Sequence, residues 1–334
     1  MMTRRYFMHR LNLAVAGGSL CFRPLHTAAE QPPETTRIRL VGSTGICVAP
    51  QYVADDLLRT EGFKDVEYVP ATWGIPAAKA VGSGAVDITM NFVAPTLMRV
   101  DAGDPILLLA GVHVGCFELF GTERVRSVRD LKGKTVAVQA LEFSQHIYLS
   151  SMAAYVGLDP HKDIKWAIHP SDEAMRLLAD GKIEAFLGLP PDPQELRARR
   201  IGHVVVNSAV DRPWAQYFCC IAAGNREFVR RNPVATKRAL RAILKASDIC
   251  ALEPDRVARA LVEKGYAKSH DYALQTMKEV PYRNKWREYD PEDTARFYAL
   301  RLREVGMITA NPQKVITQGS DWSFLAELKK ELKG

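Results

Sequence analysis

The sequence predicts an α/β protein of two doubly wound lobes joined by two crossovers, and three observations carry that reading. Residues 130–157 spell strand, loop and helix. The apolar run Thr135-Val136-Ala137-Val138 is bounded by Gly133 and a polar loop, and Ile147, Leu149, Met152, Ala153 and Val156 then recur at helical spacing up to Gly157. The same plan also occurs twice at one register. Ile38 to Val86 spans 48 residues, as does Thr135 to Ile183, and Gly84-Ala85-Val86-Asp87 lies 97 residues before Gly181-Lys182-Ile183-Glu184. After Asn225, finally, the chain turns helical, with no further set of strands.

In order, the first copy reads as a strand over Ile38–Val41, a Gly-rich loop over Gly42–Pro50 and a helix to Glu61. A strand over Val66–Val69, a Thr72-Trp73-Gly74 turn, a short helix ending at Gly84 and a strand over Val86–Met90 complete it. Pro105–Ala110 reads as another strand and Val112–Gly121 as an extended connector. The second copy places strands at Thr135–Val138, Ile164–Ile168 and Ile183–Leu187, with helices at Ser144–Val156 and Asp172–Asp180. Ser144, at a helix start, reads as an N-cap beside unpaired backbone N–H groups, a place to hold a polar or anionic small molecule. Tyr217–Ala222 reads as an extended return, and helices follow over 226–250, 254–264, 272–279, 291–305 and 321–332. The expected lobes are 37–116 with 222–334, and 117–221, with crossovers near Cys116–Phe120 and Tyr217–Ile221. Parallel βαβ units bind beyond the carboxyl ends of their strands, so two facing copies would enclose a cleft lined by loops from both.

The N-terminal 29 residues read as an export signal. Arg4-Arg5 precedes Tyr6-Phe7, Leu11–Phe22 is apolar but shorter than the roughly 20 residues that span a bilayer, and Thr27-Ala28-Ala29 supplies small residues for cleavage near Ala29. The arginine pair resembles a twin-arginine signal, with an ordinary Sec signal as the alternative. A lipid anchor on Cys21 is disfavoured by Leu20. Removing the segment's four arginines takes 45 basic residues to 41 against 38 acidic, a net of +3, so nucleic-acid binding loses compositional support. With 47% hydrophobic and 25% charged residues the chain has ordinary globular composition. Cys47, Cys116, Cys219, Cys220 and Cys250 remain. An odd number without CxxC or Cys/His ligand spacing argues against a disulfide framework and a zinc site, and reads as buried free thiols with a single bridge as the alternative.

Several stretches together resemble the periplasmic solute-binding proteins of ABC importers, of the nitrate/sulfonate/taurine branch that includes thiamine-pyrimidine-precursor-binding proteins. They are Pro50-Gln51-Tyr52-Val53-Ala54, Gly82 to Ile88, Asp130 to Val138, Ser144 with His146, Ala153 to Pro160, Leu178 to Ala185, and Asn225 to Arg241. The likeness runs from about residue 37 to 250. It implies a type II periplasmic-binding-protein (Venus flytrap) fold, a periplasmic monomer without cofactor, and delivery of a captured solute to an ABC permease and its ATPase, the membrane being met only through that permease. The chain departs from the family at Ala140-Leu141-Glu142-Phe143, where a Gly-Ser-rich turn is usual. It departs again at Gly188-Leu189-Pro190-Pro191-Asp192, where an acidic Trp-Glu-Pro-like stretch often stands.

Position at strand ends nominates Ser43, Ile46, Gln51, Tyr52, Thr72, Trp73, Asn91, Phe92, Phe143, Ser144, His146, Leu189, Pro190 and Trp214 as ligand-binding residues. Trp73, Phe92, Phe143 and Trp214 would supply aromatic walls, Asn91 hydrogen bonds, and His146 a donor to a carboxylate or sulfonate. His113 reads as a core histidine, Asp87 and Glu184 as matched capping residues, and Arg197–Arg200 as a solvated helix face. Few arginines and many aromatics point away from a bare inorganic anion and towards a small organic ligand, aromatic or heterocyclic, or a sulfonate or carboxylate. No Ser/His/Asp order, paired carboxylates or phosphate loop suggests catalysis, and no metal ligands are nominated. The alternatives are a ligand sensor and a pyrimidine-synthesising enzyme on the same fold, whose cysteine cluster Cys219-Cys220 faintly echoes.

Overall fold

A computed structural model describes residues 30–332; the export signal expected over residues 1–29, including Cys21, lies outside the described residues. Strand β1 (Arg37–Gly42) pairs in parallel with β2 (Asp65–Pro70), Ile38 opposite Val66 and Val41 opposite Val69. The helix expected between them is interrupted at Ala54, where ψ is −8°, giving α1 (Ala49–Val53) and α2 (Asp55–Thr60). Next come α3 (Ile75–Gly82), β3 (Ile88–Phe92), α4 (Val93–Asp101) and β4 (Ile106–Val114). Sequence reading leaves α4 unassigned because it follows β3 without a break and contains Pro95. That proline falls in the first helical turn, where its missing N–H has no intrahelical partner to lose.

The second group begins with β5 (Glu118–Gly121), β6 (Thr135–Val138), α5 (Ser144–Tyr155) and β7 (Lys165–Ile168). It continues through α6 (Ser171–Ala179), β8 (Ala185–Gly188), α7 (Asp192–Arg199) and β9 (His203–Asn207). These strands form one sheet in the order β7-β6-β8-β5-β9, parallel among β6, β7 and β8 and antiparallel at β5. The chain then returns as β10 (Phe218–Asn225), which inserts antiparallel between β3 and β4. Ile38 and Thr135 therefore lie in separate sheets. Helices α8 (Arg226–Arg231), α9 (Pro233–Leu252), α10 (Pro254–Glu263), α11 (His270–Glu279), α12 (Lys285–Glu288), α13 (Pro291–Glu304), α14 (Pro312–Gly319) and α15 (Ser323–Glu331) complete the chain. Of these, α9 packs on α1 and β4, while α13 touches both α4 and α5.

The repeat has a physical counterpart. The carboxylate of Asp87 accepts the backbone N–H of Arg39 in β1 at 2.7 Å, and that of Glu184 accepts the backbone N–H of Thr135 in β6 at 2.9 Å. Each acidic residue thus closes an N–H near the start of its copy's first strand, and Asp87 also pairs with the Arg39 guanidinium. Helix α5 differs from its expected amphipathic form, since every residue from Ser144 to Ala153 is buried.

The chain passes between the sheets at Gly115–Phe117 and again at 208–217, so Phe120 and Ile221, expected at the crossovers, lie inside β5 and β10. The two passages are tied together. Ser208 donates its hydroxyl to the Phe117 carbonyl at 2.8 Å and accepts the Phe117 N–H at 2.9 Å. Arg197, expected on a solvated face, instead pairs with the buried Glu118 in β5 and with Glu279 in α11. Burial raises the Glu118 pKa against the pull of that guanidinium. No helix among the described residues is long and apolar enough to cross a membrane.

Candidate ligand-binding cleft

Loops at the carboxyl ends of strands from three sheets, β1-β2, β3-β10-β4 and β7-β6-β8-β5-β9, enclose a cavity of about 540 Å³, within the range that holds small molecules. The β1–α1 loop contributes Ser43, Thr44, Gly45, Ile46 and Cys47, and the turn before α3 contributes Thr72 and Trp73. The end of β3 brings Asn91 and Phe92. From the five-stranded sheet come Gln139, Phe143, Ser144 and Gln145, then Ser171 and Asp172, then Leu189 to Asp192 with Glu195.

The aromatic wall is held in place by backbone contacts. The Trp73 indole donates to the Thr44 carbonyl at 2.9 Å. A Cβ on Gly45 would lie 2.5 Å from that indole nitrogen, so the ring seats only because residue 45 has no side chain. Asn91 fixes the same turn from beneath: its amide accepts the Gly74 N–H at 3.0 Å, and donates to the Gly74 carbonyl at 2.9 Å and to Thr96. Its polar atoms are thus engaged with the protein, and it positions Trp73. Asn91→Ala is expected to weaken solute binding about tenfold, one to two hydrogen bonds' worth, by loosening this turn. Titration calorimetry would read the loss, and unchanged affinity would contradict the role.

Four nominated residues stand outside the cavity lining. Gln51 is fully buried, and its amide nitrogen donates to Val41 while its oxygen accepts from Thr89 and Met90. Tyr52 bonds both backbone groups of Ser43 and stacks on Tyr266 at 3.5 Å between ring centroids. His146 accepts the Glu142 N–H at 3.1 Å and meets Trp166 edge-on. Burial, assisted by His161, holds its imidazole down to about 4, so it is neutral at pH 7 rather than a cationic donor. Trp214 packs among Tyr148, Tyr155 and Phe297. The remaining nominees line the cavity. Ser144 does so as the first residue of α5 instead of its N-cap, a place taken by Phe143, and its hydroxyl has no partner.

Sequence reading missed three contributions. The α10–α11 loop, Gly265 to Ser269, closes one side with Tyr266 and Lys268. Asp192 sits in the Pro-Pro-Asp stretch that the sequence flags as unusual. It is buried, accepts the Ser171 hydroxyl at 2.7 Å, and burial pushes its carboxyl up to about 7. Cys47, Cys116, Cys219 and Cys220 line one end of the cavity, all free and buried, with Cys116 Sγ 3.1 Å from Cys219 Sγ. Burial opposes ionisation of Cys219, but hydrogen bonds from Cys116 and Cys220 and the nearby His113 outweigh it and hold the thiol below its usual range. Ligand atoms of Cys47, His113 and Cys220 lie within 4.8 Å of one another, a set able to hold a soft metal ion. Its members are far apart in sequence, so no spacing motif betrays it.

A family model described as NMT1/THI5 like matches residues 48–257. The 4-amino-5-hydroxymethyl-2-methylpyrimidine phosphate synthases THI13 and THI5 of Saccharomyces cerevisiae are each 22% identical over 234 residues, 64% of this chain and 67% of theirs. Among solved structures, the periplasmic nitrate-binding protein NrtA of Synechocystis PCC 6803 superposes with a TM-score of 0.73 at 15% identity, covering 91% of this chain and 90% of NrtA. The periplasmic aliphatic sulphonate binding protein SsuA of Escherichia coli gives 0.65 at 15% identity, covering 82% and 94%. These likenesses establish the periplasmic-binding-protein fold for this chain.

Proposed function

The chain belongs to the NMT1/THI5-like family, and from that premise we propose that it is an exported solute receptor that captures a small organic molecule and delivers it to an ABC permease. The carrying observation is the cavity of about 540 Å³ built from strand-end loops of all three sheets. Lobes 37–116 with 222–334, and 117–221, would close on the solute by bending at the paired crossovers, with the solute binding the closed state better. The wall formed by Trp73, Phe92, Phe117, Phe143, Tyr266 and Tyr272 suits a planar or aromatic body.

A thermal-shift panel of aromatic and heterocyclic acids, amines and sulfonates tests this reading. At a hundred times Kd a true solute stabilises by about 2.7 kcal/mol, a rise in Tm of order 5 °C. Trp73→Ala is expected to weaken the responding compound about tenfold and to lower the unliganded Tm as well, because the partly buried ring packs on the core and its indole bonds the Thr44 carbonyl. A panel without response, or undiminished affinity in the variant, would count against the site. A second reading, catalysis on the bound solute, draws support from the thiol cluster at the cavity end and from the yeast synthases. Turnover of a bound compound would favour it.

A further inference from the structure

We infer that the solute presents a cationic or amidine-type N–H donor to Asp192, so that this receptor selects a positively polarised head group and not an anion. The inference rests on the reading of the cavity as a solute site and concerns what that site selects. Three carboxylates line the cavity, Asp172, Asp192 and Glu195; no arginine does, and its lysine, Lys268, is exposed. Glu195 is matched by Arg199 at 2.9 Å. Asp192 is buried and receives the hydroxyl of Ser171, whose oxygen in turn accepts from the Gln139 amide at 2.5 Å. That chain of donors ends on the carboxylate and gives it one hydrogen bond. An ionised carboxylate offers about four acceptor positions, and a buried one is costly until they are filled.

Helix dipoles reinforce the polarity. The first turns of α6 and α7, which would otherwise attract an anion, already contain Asp172 and Glu173, and Asp192 and Glu195. Helix α5 has no acid in its first turn, and there Ser144 Oγ and Gln145 Nε2 are both buried without partners. The cavity thus has an acceptor side at the acidic first turns of α6 and α7. A ligand with N–H donors fills the acceptor positions that Ser171 leaves open on Asp192. An amine, an amidine, a guanidine or a protonated nitrogen ring meets that description, whereas a nitrate or sulfonate group beside Asp192 would face three carboxylates.

Benzamidine, benzoate and benzenesulfonate share one ring and differ in head group, so calorimetry with the three isolates the selection. Benzamidine is expected to bind about tenfold or more tighter than either anion, as a charge-assisted contact implies. Asp192→Asn should erase most of that margin. As a measurement independent of any variant, benzamidine affinity of the unaltered protein should fall as pH drops from 8 to 6. The probe stays charged over that range while Asp192, facing Asp172, Glu195 and Lys268, takes up a proton. Equal or tighter binding of benzoate or benzenesulfonate overturns the head-group assignment and leaves the receptor reading standing. Failure of all three to bind overturns both.

Discussion

Gln51→Leu should destabilise the folded chain by about 3–5 kcal/mol, the cost of orphaning buried backbone groups, without altering solute affinity in the molecules that remain folded. Just before β3, the Asp87 N–H donates to the Arg39 carbonyl of β1 at 2.9 Å. Beyond it no ladder joins the two strands, and β1 pairs with β2 while β3 pairs with β10. The Gln51 amide fills the gap as a peptide group would. Its nitrogen donates to the Val41 carbonyl at 2.7 Å and its oxygen accepts the Met90 N–H at 2.7 Å and the Thr89 hydroxyl at 2.9 Å. Leucine matches the volume and supplies none of these bonds, so the Val41 carbonyl and the Met90 N–H lose their partner in a fully buried site, while the Thr89 hydroxyl keeps the Met90 carbonyl at 3.1 Å. Urea titration would give the stability change, and calorimetry the affinity. A specific loss of binding at unchanged stability would return Gln51 to the ligand site.

Gly115→Ala is the second large effect, a loss of at least about 3 kcal/mol from backbone overlap and strain. Gly115 has φ of 43° and lies on the first passage between the sheets. A Cβ there would stand 2.3 Å from both the Ala209 Cα and the Ser208 carbonyl oxygen of the second passage. Backbone cannot yield as a flexible side chain would, so the two passages must separate, breaking the Phe117–Ser208 hydrogen bonds that tie them. Cys116 and Phe117 beside it line the cavity, and solute affinity should fall with stability. Gly133→Ala is the control: φ is 74° with nothing within 4 Å, and the cost should be about 1 kcal/mol, that of the left-handed conformation alone. Equal effects at the two glycines, measured by denaturant midpoint, would refute the steric argument.

Local pattern was enough to read the duplicated strand–helix plan, because period and punctuation are properties of short segments. The same pattern nominated Ser43, Ile46, Trp73, Phe143 and Leu189 for the cavity, since a residue just past a strand's carboxyl end in a βαβ unit faces the crevice wherever the sheet goes. It also nominated Gln51 and His146, whose polar atoms the fold engages with Val41, Met90 and Glu142 outside the cavity lining. It left α4 unassigned, where Pro95 fits the first turn, although it read the helices that begin at Pro254 and Pro291.

By itself, then, the sequence determined the strands and helices of the doubled plan and nominated the loop ends that would compete to hold a solute, while α4, β9 and α14 went unassigned. Only the tertiary structure decided which polar groups face the solute and which are spent on the protein, and it brought Asp192, Tyr266 and the four thiols to one cavity from distant parts of the chain. The physical reason is that a buried polar atom's role is set by its partner, and the partner is chosen by how the chain folds. Gln51 reaches Met90 across 39 residues and Asp192 reaches Ser171 across 21, while even the nearby Glu142 N–H meets His146 only through the shape of the loop before α5.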